Sequence, residues 1–274
     1  MIDQDVAIEA LGIICNASVS SVQRPHSAGM DSHVQRMSIN NFISTMVDSE
    51  QTCKVSGLYF SRLLNMLQGS KQDDAAGDFA EAHMMDVSTR SRKLVIDKNE
   101  FFDPRFDYDF TNLQDTETYS RGGEVYERPC GWQRFGLKVL GKYDETTWLG
   151  TQYRSTQSVA GEWPVSYHGT SKAGADGIIS GFYEPGPGAV YGRGIYSTPY
   201  IEEAYLYAKS FVSKKTGKTY RVILQNRINP KYREKHNCDK YWLVRIPKGT
   251  SDEEEQEMVE RAIRPYGLLL KEIN

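Results

Sequence analysis

Two neighbouring segments constrain the fold most, because each combines a strand pattern with glycines that allow close approach. Residues 165–170 alternate as a strand that ends in a His-Gly pair. Residues 191–196 form a glycine-punctuated loop that runs into a second short strand. Directly after it, Thr198 followed by Pro199 predicts the N-cap and first turn of a helix. We expect the two segments to face each other across one cleft.

The C-terminal part of the chain has short strand patterns separated by helical ones at uneven spacing. This arrangement favours an α+β fold over a regular βαβ array. Strands are predicted over residues 135–143, 165–167, 220–224, 241–246 and 268–273, and an extended segment over 101–110. Helices are predicted from 170 to 179, from 198 to 211 and from 251, where Ser251 and Glu254 form a capping box. Residues 182–191 and 229–239 are predicted loops.

The first 100 residues are less patterned. Apolar residues fall near helical spacing over 39–47, 58–67 and 79–85, with polar segments between them. We therefore expect residues 1–100 to form a loosely packed, mostly helical extension, and residues 101–274 to form the main domain.

Composition and charge restrict the kinds of binding partner and the cellular compartment that we expect for this protein. A net charge of -3 over 274 residues argues against wholesale electrostatic binding of nucleic acid. No run approaches the about 20 apolar residues of a membrane span, and the N-terminus is acidic, unlike a secretory signal. We expect a cytoplasmic or nuclear protein with no membrane partner. The four cysteines are scattered, so neither a metal site nor a disulfide framework is expected.

Arg128, Trp132 and Arg134 follow a glycine-rich turn and support two interpretations equally. They would anchor a diphosphate or an adenine, or they would pack and pair at a seam between structural units.

The region from Trp132 to Asn274 resembles the catalytic domain of the poly(ADP-ribose) polymerases and their diphtheria-toxin-like relatives. The resemblance is carried by His-Gly-Thr at 168–170, by Gly-Arg-Gly-Ile-Tyr at 192–196, and by Tyr207 in an Ala-Tyr-Leu-Tyr-Ala helix. A loop rich in glycine and proline separates the first two motifs. The resemblance implies a split, mainly antiparallel β core with flanking helices, and NAD as the substrate.

The resemblance also implies a role for each matching residue. His168 would hydrogen-bond the adenosine ribose, and the backbone of Gly169 would clamp the carboxamide. Tyr196 and Tyr207 would sandwich the nicotinamide ring, and Thr170 would add a hydroxyl contact. The implied NAD site comprises His168, Gly169, Thr170, Tyr191, Gly194, Tyr196, Ala204 and Tyr207.

Two positions depart from the family pattern. Ala204 stands where the family often has a serine, which would remove one hydrogen bond worth about 0.5–1.5 kcal/mol. Lys240 stands where polymerising members have glutamate, and lysine cannot accept a hydrogen bond from a ribose hydroxyl. Asp239 would replace that glutamate only if a bulge turned it to the same face. Glu162, Glu184 or a carboxylate of the target are the other candidates.

The implied activity is therefore mono-ADP-ribosylation rather than chain elongation. The catalytic set is His168, Tyr196 and the position filled by Lys240 or Asp239, with NAD as the substrate and no metal. The acceptor is a macromolecule, and the sequence does not distinguish protein from nucleic acid. Two alternatives stay open: a catalytically silent domain that binds NAD, ADP-ribose or a partner, and an NAD glycohydrolase.

Overall fold

The computed structural model describes residues 1–15, 17–22, 34–36, 92–150, 155–169 and 191–273. The helices in these ranges are α1 (Gln4–Cys15), α2 (Lys98–Phe101), α3 (Ile201–Leu206) and α4 (Asp252–Ala262). The strands are β1 (Ala17–Val22), β2 (Val34–Arg36), β3 (Arg92–Asp97), β4 (Tyr108–Asp109), β5 (Tyr119–Arg121), β6 (Glu124–Tyr126), β7 (Gln133–Gly136), β8 (Val165–Gly169), β9 (Gly194–Ser197), β10 (Lys209–Val212), β11 (Thr219–Ile228), β12 (Arg233–His236), β13 (Tyr241–Arg245) and β14 (Ile263–Ile273). The fold is mixed α+β with mostly antiparallel sheets, which confirms the predicted class.

A six-stranded antiparallel sheet forms the centre of the domain. Its order is β10-β11-β14-β7-β4, and β8 pairs with the second half of β11. Ile223 and Leu224 on β11 pair with Leu269 and Leu268 on β14, and all four side chains are fully buried. Burial of consecutive residues, instead of every second one, means that both faces of the sheet are covered.

A second, three-stranded antiparallel sheet has the order β12-β13-β9. It meets the central sheet where β9 passes β8, through a single antiparallel bridge between Tyr167 and Thr198. Between β8 and β9, backbone pairing of the two sheets is therefore limited to this one bridge.

Helix α1 packs against the main core. Val6, Ala7, Ala10 and Leu11 are fully buried, and the backbone N–H of Ile2 donates to Gln133 on β7 at 2.5 Å. The loose packing expected of this region is therefore wrong for α1. The sequence also missed the parallel three-stranded sheet β1-β3-β2.

The helices predicted over 39–47, 58–67, 79–85 and 170–179 lie outside the described residues, as do residues 182–190 of the predicted loop. A mostly helical N-terminal region and a boundary near residue 100 stay predictions.

Three local predictions are corrected. Helix α3 begins at Ile201 with Tyr200 as its N-cap, because the Thr198 backbone is held in the bridge to Tyr167. It ends at Leu206, and Phe211, predicted on its inner face, lies in β10. The predicted loop 229–239 contains β12.

The extended segment predicted over 101–110 is largely wrong, since it includes the end of α2, a 3-10 turn at Pro104–Phe106 and the short β4. The capping box of α4 is confirmed, with Ser251 and Glu254 each bonding the backbone N–H of the other.

Candidate functional site

The residues predicted to line the cleft come together where β8 and β9 separate. Tyr167 and Thr198 exchange two backbone hydrogen bonds, of 2.7 and 2.9 Å. One residue further along β8, the two strands no longer pair, and the side chain of His168 contacts the backbone oxygen of Tyr196 across the gap instead. Residues from the two segments predicted to face each other, 165–170 and 191–196, therefore line this gap.

His168 is fixed by a hydrogen bond across this gap. Its Nδ1 lies 2.6 Å from the backbone oxygen of Tyr196. Since a carbonyl oxygen can only accept, Nδ1 carries the proton, and the Nε2 of the neutral ring is left as an acceptor. Burial lowers the pKa of His168 below its ordinary value, although the contact with Tyr196 opposes this shift. The ring is therefore neutral at physiological pH.

Gly169 presents its backbone to the same gap. In an antiparallel strand, the N–H and C=O of every second residue point to the same neighbour. Because those of Tyr167 bond Thr198, those of Gly169 also point away from β11, past the end of the bridge. A Cβ on Gly169 would lie 2.4 Å from the Cβ of Tyr207 and 2.7 Å from the oxygen of Ala204. Only glycine lets β8 and α3 approach this closely.

The loop before β9 is organised around the hydroxyl of Tyr196. This hydroxyl donates to the oxygen of Gly192 at 2.8 Å and accepts from the N–H of Tyr191 at 3.1 Å. Gly194 has a φ of +155°, and a Cβ there would lie 2.0 Å from the oxygen of Val244. The glycine spacing of this segment is thus required by the loop and by its packing on β13.

Aromatic side chains share one face of the second sheet. Tyr196 pairs with Leu243, and Tyr241, two residues earlier on β13, pairs with His236. Because paired residues lie on one face and residues two apart lie on the same face, Tyr196, Tyr241 and His236 are all on this side. The ring of Tyr191 stacks on His236, with centroids 4.3 Å apart. The face offers flat apolar surface beside His168.

Lys240, at the atypical position, faces a carboxylate on α3. Its Nζ lies 2.9 Å from Oε2 of Glu203, while the hydroxyl of Tyr241 donates to Oε1 at 2.5 Å. The hydroxyl of Tyr207 lies 3.5 Å from that of Tyr241. Burial and the contact with Glu203 raise the pKa of Tyr241, and burial also raises that of Tyr207. Both tyrosines therefore remain protonated donors.

Glu203 was missed at the sequence level. Its spacing of four residues from Tyr207 was the available indication, because residues i and i+4 lie on one side of a helix. Its contact with β13 follows only from the tertiary structure.

The carboxylate of Asp239 is hydrogen-bonded to residues other than those that surround Lys240. Its carboxylate accepts from the indole N–H of Trp242 at 2.6 Å and from Lys235 at 2.7 Å. Partial burial would raise the pKa of Asp239, but these hydrogen bonds lower it overall. Asn237, Cys238 and Asp239 all have positive φ, at 50°, 52° and 71°. This costly turn directs Asp239 to the Trp242 side of the hairpin and Lys240 to α3.

Asp239 and Trp242 line a cavity of about 350 Å³ together with Tyr200, Glu124 and Glu127. Glu124 and Asp239 are already engaged in ion pairs, with Lys235 contacting both carboxylates and Arg233 contacting Glu124. The replacement of the family glutamate by Asp239 is therefore not supported by its contacts.

Three of the other predicted residues have clear positions. Ala204 is fully buried, and Tyr207 directly follows α3 against Gly169. Glu162 is buried in an ion pair with Arg227, at 3.4 Å. Thr170 and Glu184 lie outside the described residues.

The basic and aromatic residues near the glycine-rich turn support the packing interpretation. Trp132 is fully buried, and Arg128 pairs with Asp115 while lying over the ring of Tyr119. Arg134 donates to the backbone oxygen of Phe106 at 3.0 Å.

No protein-family model matches the chain, and no curated protein sequence matches it. None of the helices in the described ranges is long and apolar enough to cross a membrane. The described side chains contain no group of three or more His, Cys, Asp or Glu residues that could hold a metal ion.

Proposed function

We propose that the protein is an NAD-dependent mono-ADP-ribosyltransferase, and that residues 101–274 form an ADP-ribosyltransferase-like domain. The observation that carries this proposal is the pair His168 and Gly169, which directly follows the backbone bridge between two antiparallel sheets and faces Tyr196. The proposal is supported by two antiparallel sheets that meet beside the residues to which the resemblance assigns the NAD site.

The chemistry of the gap suits a nicotinamide nucleotide. The Nε2 of His168 can accept a hydrogen bond from a ribose hydroxyl. A carboxamide has one acceptor and one NH₂ donor, which matches the N–H and C=O of Gly169 pointing in one direction. Tyr196 and Tyr207 supply aromatic surface for the ring.

In the proposed reaction, the bond between C1′ of the nicotinamide ribose and the ring nitrogen breaks, and its electron pair leaves with nicotinamide. A nucleophilic atom of the acceptor then bonds to C1′ and loses its proton to solvent. Lys240 cannot accept a hydrogen bond from the hydroxyl of an attached ADP-ribose, so one unit is transferred and chains do not grow.

The proposal is tested by incubating the protein with NAD labelled in its adenylate part and with mixed protein and nucleic-acid acceptors. We expect label on the protein itself or on one acceptor class, together with an equal amount of free nicotinamide. Absence of transfer, of automodification and of nicotinamide release would overturn the proposal. The acceptor that carries the label identifies its class.

The second candidate is a silent binding domain, and Lys240 together with Ala204 favours it. Isothermal titration calorimetry separates the two, since binding of NAD without turnover supports a binding module. Free ADP-ribose as the dominant product would instead indicate NAD hydrolysis.

A further inference from the structure

We propose that Glu203 on α3 supplies the carboxylate that faces the nicotinamide ribose, and that Lys240 is the residue that positions it. This inference rests on the proposed function. It assigns the catalytic carboxylate to helix α3, across an ion pair from Lys240 in the turn before β13.

The contacts of Glu203 carry the inference. The Glu203 side chain is only 10% exposed, and both of its oxygens contact residues of β13 or of the turn before it. One turn along the same side of the helix, Tyr207 packs against Gly169 at the gap. A chain of successive contacts therefore connects the proposed carboxamide site with the carboxylate. It runs from Gly169 through Tyr207 and Tyr241 to Glu203.

The carboxylates considered from the sequence do not share this position. Asp239 is held on the far side of the hairpin by Trp242 and Lys235. Glu162 is buried against Arg227. Within the described part of the chain, Glu203 is the carboxylate that contacts Lys240 and Tyr241.

The ion pair with Lys240 does not prevent Glu203 from contacting the ribose of NAD. Lys240 is 43% exposed, so its flexible ammonium group can move into solvent when a ribose hydroxyl takes its place beside Oε2. Tyr241 continues to hold the other oxygen, so with NAD bound both oxygens of Glu203 are engaged and neither is left for the hydroxyl of an attached ADP-ribose. When the bond from C1′ to nicotinamide breaks, positive charge develops on the ribose, and a fixed carboxylate with little solvent contact stabilises that charge. The acceptor then bonds to C1′ and releases its proton to solvent, as above.

Glu203→Gln is the direct test, because glutamine keeps the shape and an acceptor for Tyr241 but removes the charge. We expect the rate of nicotinamide release to fall by about 100-fold or more, with the NAD dissociation constant changed by less than about threefold. The matched control is Glu202→Gln, an exposed neighbour on the same helix, for which we expect an unchanged rate. Melting temperatures of all variants establish that they are folded.

A reversal of the ion pair gives a second, independent test. Glu203→Lys alone places two lysines together and should abolish release. Adding Lys240→Glu restores opposite charges and a carboxylate at the site, so the double variant should release nicotinamide at least about tenfold faster than Glu203→Lys.

Release that survives Glu203→Gln would overturn this assignment alone and leave the transferase proposal standing. A loss shared by Glu202→Gln would also overturn it, and so would a double variant that releases nicotinamide no faster than Glu203→Lys. Wild-type protein that binds NAD without releasing nicotinamide would remove both the transferase proposal and the role of Glu203.

Discussion

The Nδ1 atom of His168 lies 2.6 Å from the backbone oxygen of Tyr196, so one imidazole ring bridges β8 and β9. The same bond leaves Nε2 free of a proton. His168 therefore has a structural role through one nitrogen and a proposed ligand role through the other, and substitutions can separate the two.

His168→Asn should keep the first role and lose the second, since its amide N–H can donate to Tyr196 while nothing replaces Nε2. We expect NAD affinity to fall about two- to tenfold, which corresponds to the about 0.5–1.5 kcal/mol of one hydrogen bond. His168→Ala should lose the same affinity and also about 1 kcal/mol of unfolding free energy. Calorimetry and urea unfolding measure the two quantities, and unchanged affinity in both variants would mean that NAD does not contact this ring.

The pH dependence of stability should also reveal His168. Burial lowers the pKa of the folded state below the ordinary value of 6.5. At pH 7.5 the ring is neutral in both states, but as the pH falls below about 6.5 the unfolded chain takes up the proton first. The unfolding free energy should therefore decrease more between pH 7.5 and 5.5 in the wild type than in His168→Asn. Equal decreases in urea unfolding would contradict a partly buried ring that stays neutral in the folded protein.

Gly169→Ala should displace α3. The added Cβ would meet the Cβ of Tyr207 at 2.4 Å and the backbone oxygen of Ala204 at 2.7 Å, neither of which can rotate away. We expect a loss of about 1–3 kcal/mol in unfolding free energy and weaker NAD binding. Gly141→Ala is the control, because its Cβ would meet nothing within 4 Å and the cost is only about 1 kcal/mol for its positive φ. Normal NAD binding by Gly169→Ala would contradict the proposed carboxamide site.

The strands of the cleft could be predicted because their pattern is local. Alternation and glycine spacing at 165–170 and 191–196 specify β8, the loop and β9 with little reference to the rest of the chain. Because His168 is next to last in β8, the same pattern also predicts that it lies near the end of the strand, beside the gap.

The elements that the sequence missed depend on distant partners. Strand β12 consists of polar residues, Arg-Glu-Lys-His, and it is held by tertiary contacts such as Arg233 lying 3.9 Å from the ring of Trp242. Phe211 fits a helical face but pairs with Tyr220 in the central sheet, and packing overrides the helical pattern there. The contacts of Glu203 with Lys240 and Tyr241 arise only from the packing of α3 against β13, so the local sequence pattern could not indicate them.

Substitution of Glu162 should show whether this buried carboxylate contributes to stability and not to catalysis. Its side chain is 2% exposed, and it accepts from the backbone N–H groups of Gly122 and Val159 besides pairing with Arg227. Glu162→Gln leaves the Arg227 charge buried without its partner, so we expect a loss of about 3–5 kcal/mol in unfolding free energy. The exposed Glu117→Gln should change it by less than about 0.5 kcal/mol. Nicotinamide release per folded molecule should be normal in both variants at low temperature, because neither carboxylate contacts the gap. A stable Glu162→Gln protein without release would instead make Glu162 the catalytic carboxylate.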